Sequence, residues 1–274
     1  MGRWFARFFT ERGRTVLLSD RATSLSNADL AAQCAVLIVC VPLRTTPAVI
    51  EEVARAAPAT ALVVSTASLM LPSLPGLRQA PGEALCLHPL FGPAVPTVVG
   101  QVLISATVRA GPLSHWLTDT LTEAGATVRA LAPRDHDTAM ASVQVMQHAA
   151  FVAFTNALAA ADLDVTAALQ VATPSFRLFL ALAARIVNQP ASLYGDIVTL
   201  NPRGPAALER LRGALDEVSG AARAADAEEF EGLFERARAY FTASPALAEA
   251  LIAEADAALA ALQAGQGSPT GEAI

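Results

Sequence analysis

Ala35-Val36-Leu37-Ile38-Val39-Cys40-Val41 is an unbroken apolar run of strand length, closed by Pro42. A strand that is apolar on both faces belongs inside a parallel sheet with helices on either side. The flanking sequence supplies those helices and more strands. Residues 45–57 carry Val49, Ile50 and Val53 at helical spacing, and Ala61-Leu62-Val63-Val64 is the next strand, followed by Ser65-Thr66-Ala67-Ser68. Ala84-Leu85-Cys86-Leu87 leads into His88, residues 102–105 and 127–130 read as later strands, and residues 113–124 form a helix between them. This alternation predicts an α/β, Rossmann-type doubly wound sheet, whose ligands gather at the carboxyl ends of the strands. Ser68 and His88 both fall at such ends.

Ahead of that run, Trp4, Phe5, Phe8 and Phe9 are spaced for one face of a helix over residues 3–12, and Gly13 reads as its stop. Thr15-Val16-Leu17-Leu18-Ser19-Asp20 then reads as a strand ending in an acid. Helix, glycine, strand and acid are the later half of a nucleotide-binding βαβ unit, in which the acid accepts from the adenosine ribose hydroxyls. Asp20 therefore points to NAD, with NADP the weaker choice. Arg21 beside it moderates that preference, because an arginine there also suits a phosphate. The glycine fingerprint is incomplete. Gly2 sits where its third glycine belongs, so the first strand and glycine-rich loop would lie upstream of Met1. Two explanations stay open: a start assigned inside the motif, or loss of the central strand.

From Arg134 onward no β-type run survives. Residues 134–262 read as an all-α, alanine-rich domain following a dinucleotide-binding domain over residues 1–133, with a disordered tail over residues 263–274. The cleft between two such domains is the natural place for substrate. A net charge of −6 without a basic block argues against nucleic acid as a partner. No run reaches the length that spans a bilayer and no secretion signal opens the chain, so a cytoplasmic protein is expected. Cys34, Cys40 and Cys86 lack the spacing of a zinc site, and no metal is expected.

His88-Pro89-Leu90-Phe91-Gly92-Pro93 places one imidazole at a strand end, held by a rigid turn, which suits proton chemistry. With Met1-Gly2-Arg3-Trp4-Phe5-Ala6, Val41-Pro42-Leu43, Asp135-His136-Asp137, Gln144, His148, Thr173-Pro174-Ser175-Phe176-Arg177, Arg185 and Tyr194-Gly195-Asp196-Ile197, it resembles the prephenate dehydrogenase (TyrA-like) family over nearly the whole chain. No single piece is specific; their order and spacing are.

The resemblance implies NAD-dependent oxidative decarboxylation of a cyclohexadiene carboxylate, as in tyrosine biosynthesis. His88 would take the proton of the C4 hydroxyl, and Ser68 would orient it. Arg185 would hold the ring carboxylate with Arg177 as second anchor, since eight residues place both within about 80° on one helix. His136, Gln144 and His148 match polar positions of the substrate side, and Gly2, Asp20, Arg21, Val41 and Pro42 those of the cofactor side. The helical domains of the family pair, so a homodimer is expected. Where the family carries an acid and a lysine after the second strand, this chain has Ser65 and Met70. Loss of a cation from the substrate mouth would bring arogenate and 4-amino-4-deoxyprephenate into contention beside prephenate. An inactive scaffold relative and a different Rossmann dehydrogenase with a helical domain remain alternatives, the latter disfavoured where it needs a lysine, which this chain lacks entirely.

Overall fold

The computed structural model describes residues 1–161 and 164–266. In chain order they form α1 (Gly2–Thr10), α2 (Asn27–Ala31), β1 (Val36–Val39), α3 (Thr46–Ala56), β2 (Leu62–Ser65), α4 (Leu74–Gln79), β3 (Glu83–Pro89), β4 (Val102–Arg109), α5 (Pro112–Glu123), β5 (Thr127–Ala130) and α6 (Pro133–Met140). A π-helical turn, Ala141–Met146, leads into α7 (Gln147–Ala160), α8 (Val165–Gln170), α9 (Pro174–Val187), α10 (Ala191–Leu200), α11 (Gly204–Ala224), α12 (Ala227–Thr242) and α13 (Pro245–Gln266).

The strands lie in sequence order, β1-β2-β3-β4-β5. β1, β2 and β3 are parallel, β4 runs antiparallel to β3, and β5 follows β4 in parallel. The reversal arises because residues 90–101 carry no crossover helix, and a parallel return needs one. Alternate side chains divide the sheet into two faces. Leu37, Val39, Val63, Ala84 and Cys86 pack under α2, α3 and α4 with Ile50, Val53 and Leu77. Leu62, Val64, Leu85 and Leu87 face Trp4, Phe5, Phe8 and Phe9 of α1, with Leu117 and Leu121 of α5. Helices cover both faces, as the apolar run at β1 requires.

α1 forms where its aromatic spacing predicts. Trp4 stacks on Phe8 with centroids 5.3 Å apart, and its indole N–H donates to Val95 O at 3.0 Å. The strand expected over residues 15–20 does not form. Those residues carry no ladder, and Leu17 and Leu18 are exposed. No strand among the described residues pairs with them, and β1 is itself an edge strand of the sheet. A segment without a neighbour cannot close ladder hydrogen bonds.

Two compact units divide the chain at places the sequence did not announce. The first is Met1–Gln144 with Ser192–Arg203, and the second is Val145–Ala191 with Gly204–Ile274. Thus α6, expected to open the helical domain, belongs with the sheet, and most of α10 returns to it. Side-chain bonds tie both to the first unit. Asp137 of α6 accepts from the backbone N–H groups of Met70 and Leu71, and Asp196 of α10 pairs with Arg44 at 2.5 Å.

In the second unit, α7 and α9 meet through Phe151, Phe154 and Phe179, with the Phe154 and Phe179 rings 4.7 Å apart. α9 also packs on α13, and α11 on α12. Residues 263–266, expected in the tail, are the last residues of α13. Residues 267–274, the rest of that tail, lie outside the described residues.

Candidate active site

β3 carries His88 to its carboxyl end on the same face as Ala84 and Cys86, two residues apart each time. The ring is 3% exposed. α6 begins with Pro133 in its first turn, where the missing N–H costs no helical bond, and within the next turn it presents His136 and Asp137 to the sheet. Both are buried, His136 at 0% and Asp137 at 1% exposure.

These three side chains form one connected chain. His88 Nδ1 lies 2.9 Å from His136 Nε2, and His136 Nδ1 lies 2.8 Å from Asp137 Oδ1. The rings of His88 and His136 meet edge-on at 79°. Asp137 Oδ1 also accepts from Met70 N at 2.9 Å, and Oδ2 accepts from Leu71 N at 3.0 Å. Asn201, buried where α10 ends, donates its Nδ2–H to Asp137 O at 2.9 Å and accepts from Arg203 N through Oδ1. Every polar group is satisfied by protein except His88 Nε2, which has no hydrogen bond among the described residues.

Burial, followed by the positive charge that His136 would carry, pushes the His88 pKa down to about 3. Burial and the Asp137 carboxylate push the Cys86 thiol up to about 12, which leaves it an inert packing group. His148 is lowered by partial burial. A neutral imidazole with one nitrogen anchored and the other bare is a proton acceptor in waiting.

The sequence expectations fare differently. Ser68 lies half-buried in the loop after β2 and makes no hydrogen bond to His88. The bond assigned to it belongs to His136. His136, expected on the substrate side, is fully enclosed, with both ring nitrogens engaged with protein. Gln144 sits in the π-helical turn with Oε1 buried and without a hydrogen-bond partner among the described residues. His148 lies on α7 in the second unit.

Arg177 and Arg185 both lie on α9. Neither guanidinium forms an ion pair among the described residues. Arg177 borders a cavity of about 170 Å³ lined also by Leu169, Pro174 and Leu262, and Arg185 is exposed. Met70, read as replacing a lysine at a substrate mouth, is 1% exposed in the core under α3. Its side chain lines no mouth, and the argument from a missing charge there falls away. Asp137 was named only within the Asp135-His136-Asp137 match and given no role, and Asn201 was not singled out from sequence. The available signal was an acid directly after a histidine, behind a helix-opening proline, in a chain poor in charge.

For a dinucleotide, the described residues offer the helix-end half of a cradle. Gly2 opens α1 beside Cys40, just past the carboxyl end of β1; a Cβ on Gly2 would stand 3.6 Å from Cys40 Cβ. Val41 and exposed Pro42 follow directly. The Asp20 carboxylate is exposed and accepts from Ala22 N at 2.7 Å, while Arg21 is exposed beside it. No glycine-rich turn stands among these residues.

The profile of the prephenate dehydrogenase dimerization domain matches residues 132–236. A 4-amino-4-deoxyprephenate dehydrogenase of Streptomyces pristinaespiralis is 32% identical over 205 residues, covering 74% of this chain and 69% of that protein. A probable arogenate/prephenate dehydrogenase of Methanocaldococcus jannaschii is 26% identical over 88% of this chain and 58% of its own length. The T-protein of Enterobacter agglomerans is 27% identical over 88% of this chain and 65% of its length. The chain thus spans less than two thirds of the latter two relatives. Among solved structures, Aquifex aeolicus prephenate dehydrogenase superposes with a TM-score of 0.61 at 16% identity, covering 80% of this chain and 81% of that one. Synechocystis arogenate dehydrogenase gives 0.60 at 19%, covering 77% and 80%. At such identities they share the fold.

Proposed function

The chain belongs to the prephenate dehydrogenase family, and on that premise we propose that it catalyses nicotinamide-dependent oxidative decarboxylation of a prephenate-type cyclohexadiene, with His88 as the base. The observation that carries this reading is the bare Nε2 of a buried, neutral His88 at the carboxyl end of β3, where ligands of such sheets collect.

A bound nicotinamide supplies the acceptor for the hydride that leaves C4. As that hydride departs, the C4 hydroxyl proton passes to His88 Nε2, which raises electron density at C4. The electron pair of the breaking bond to the ring carboxylate then runs through the ring to the oxygen as carbon dioxide leaves. The resulting phenolate takes the proton back from His88, so the imidazole ends as it began. Aromatisation supplies the driving force, and the protein's work is positioning and one transient proton.

Arg185 and Arg177 on α9, whose guanidinium groups form no ion pair among the described residues, meet the substrate carboxylates; Gln144 and His148 contribute polar contacts. Gly2 with the N-terminus of α1, Val41 and Pro42 hold the cofactor, and Asp20 favours NAD over NADP. Pairing of two chains through the helical unit fits the dimerization-domain match over residues 132–236.

Steady-state rates with prephenate, arogenate and 4-amino-4-deoxyprephenate, each with NAD and NADP, test the proposal. Turnover of one of the three with NADH and carbon dioxide formed in equal amounts is the expected result, and no turnover of any contradicts it. Prephenate is the first choice. The 32% identity to a 4-amino-4-deoxyprephenate dehydrogenase favours that amine as the second reading, and a preference above about tenfold for either substrate decides between them.

A further inference from the structure

We propose that His136 and Asp137 are positioning residues that lock His88 in its Nδ1–H tautomer, so that the Nε2 lone pair is the one presented to substrate. A neutral histidine has two tautomers of similar energy, and in the other one His88 would turn an N–H toward the substrate and offer no base. The structure removes that freedom by a sequence of forced choices that starts at the backbone.

The Met70 and Leu71 amides can only donate, and they point at the two oxygens of Asp137. A carboxylate already receiving two N–H groups acts as an acceptor toward its third partner, so the proton at the 2.8 Å contact sits on His136 Nδ1. Neutral His136 then has a lone pair at Nε2. That lone pair, 2.9 Å from His88 Nδ1, is satisfied only if His88 Nδ1 carries the hydrogen. Neutral His88 is left with a bare Nε2. Asn201 fixes the main chain of Asp137 from the far side, which keeps the carboxylate in register with the two amides.

The same chain serves the charged state. When His88 takes the hydroxyl proton at Nε2, its Nδ1–H becomes a charge-assisted donor to His136, and the Asp137 carboxylate stands behind it as counter-charge. No proton has to leave His88 on the inner side, and it returns to the product oxygen from Nε2. The kinetic consequence rests on the proposed function, whereas the tautomer does not.

Imidazole-nitrogen NMR of histidine-labelled full-length protein reads the tautomer without any substrate. Wild type is expected to carry the proton of neutral His88 on Nδ1. His136→Gln, whose side-chain oxygen still accepts, is expected to keep it there, and His136→Leu to move it to Nε2. A proton on Nε2 in the wild type overturns the proposal, and so does an Nδ1 proton that survives His136→Leu. With an accepted substrate, His136→Leu is expected to lower kcat about 100-fold while KM stays within about threefold, the scale of one lost general-base contribution. His136→Gln is expected to recover most of that loss. Equal losses in both variants overturn the acceptor role assigned to His136. If the wild type turns over none of the three substrates, the function proposed above fails and the NMR result alone decides this one.

Discussion

At His88 the depressed pKa makes opposite demands on catalysis and on stability, and both can be measured. The ring moves from 6.5 to about 3 on folding, so it stays neutral and basic far into acid. The acid limb of kcat/KM is therefore expected well below pH 6, and a limb centred near 6.5 would mean that His88 is exposed or is not the base. For stability the unfolded chain binds the proton first. As pH falls below 6.5 the unfolded state gains it while the folded state does not, so this residue's contribution is lost between 6.5 and about 3. Denaturant titrations at stepped pH should show that decline in the wild type and a shallower one in His88→Asn. The placement of His88 was legible in the sequence because a strand end and a rigid turn bracket it. That of His136 was not, since a polar residue on a helix reads alike whether it faces substrate or a second histidine. Only the fold, which encloses it completely, tells the two apart.

Among the elements, α6 and α10 are tied to the first unit by polar contacts of Asp137, Asn201 and Asp196, beside the buried apolar side chains of Met140 and Ile197. Asn201→Ala removes the side-chain donor to Asp137 O, which keeps its helical bond from Ala141 N, and takes the acceptor from Arg203 N. The expected cost is about 0.5–1.5 kcal/mol in chemical denaturation, with kcat lowered as the Asp137 carboxylate loses register. An unchanged midpoint would show that α10 is held by other means. The strands were readable from apolar runs and α1 from its aromatic spacing, because burial on a defined face writes a period into the sequence. Residues 15–19 carried the same signal and made no strand. A period specifies a face, and pairing also needs a neighbour that no local pattern reveals. The reversal of β4 has a similar origin: it follows from a missing crossover helix, an absence that spacing alone did not flag.

The molecule as a whole exposes aromatic side chains along its helical unit, with Phe234 56% and Tyr240 81% accessible. Exposed apolar surface of this kind marks association, and the dimerization-domain match covers Phe234. Light scattering is expected to give twice the 28.4 kDa chain mass, and Phe234→Glu to shift the population toward monomer. A monomeric wild type at micromolar concentration would remove the homodimer from the account. The division into a sheet-bearing and a helical part was visible in where β-type runs cease. The crossing of α6 and α10 into the first unit was not, because it depends on Asp137 and Asp196 finding partners distant in sequence. What joins the scales is one proton on one ring. Turnover of His88→Asn beside wild type, on whichever substrate the wild type accepts, tests it most directly. The account predicts a kcat at least about 100-fold lower with KM nearly kept, and a variant that turns over at close to the wild-type rate contradicts it.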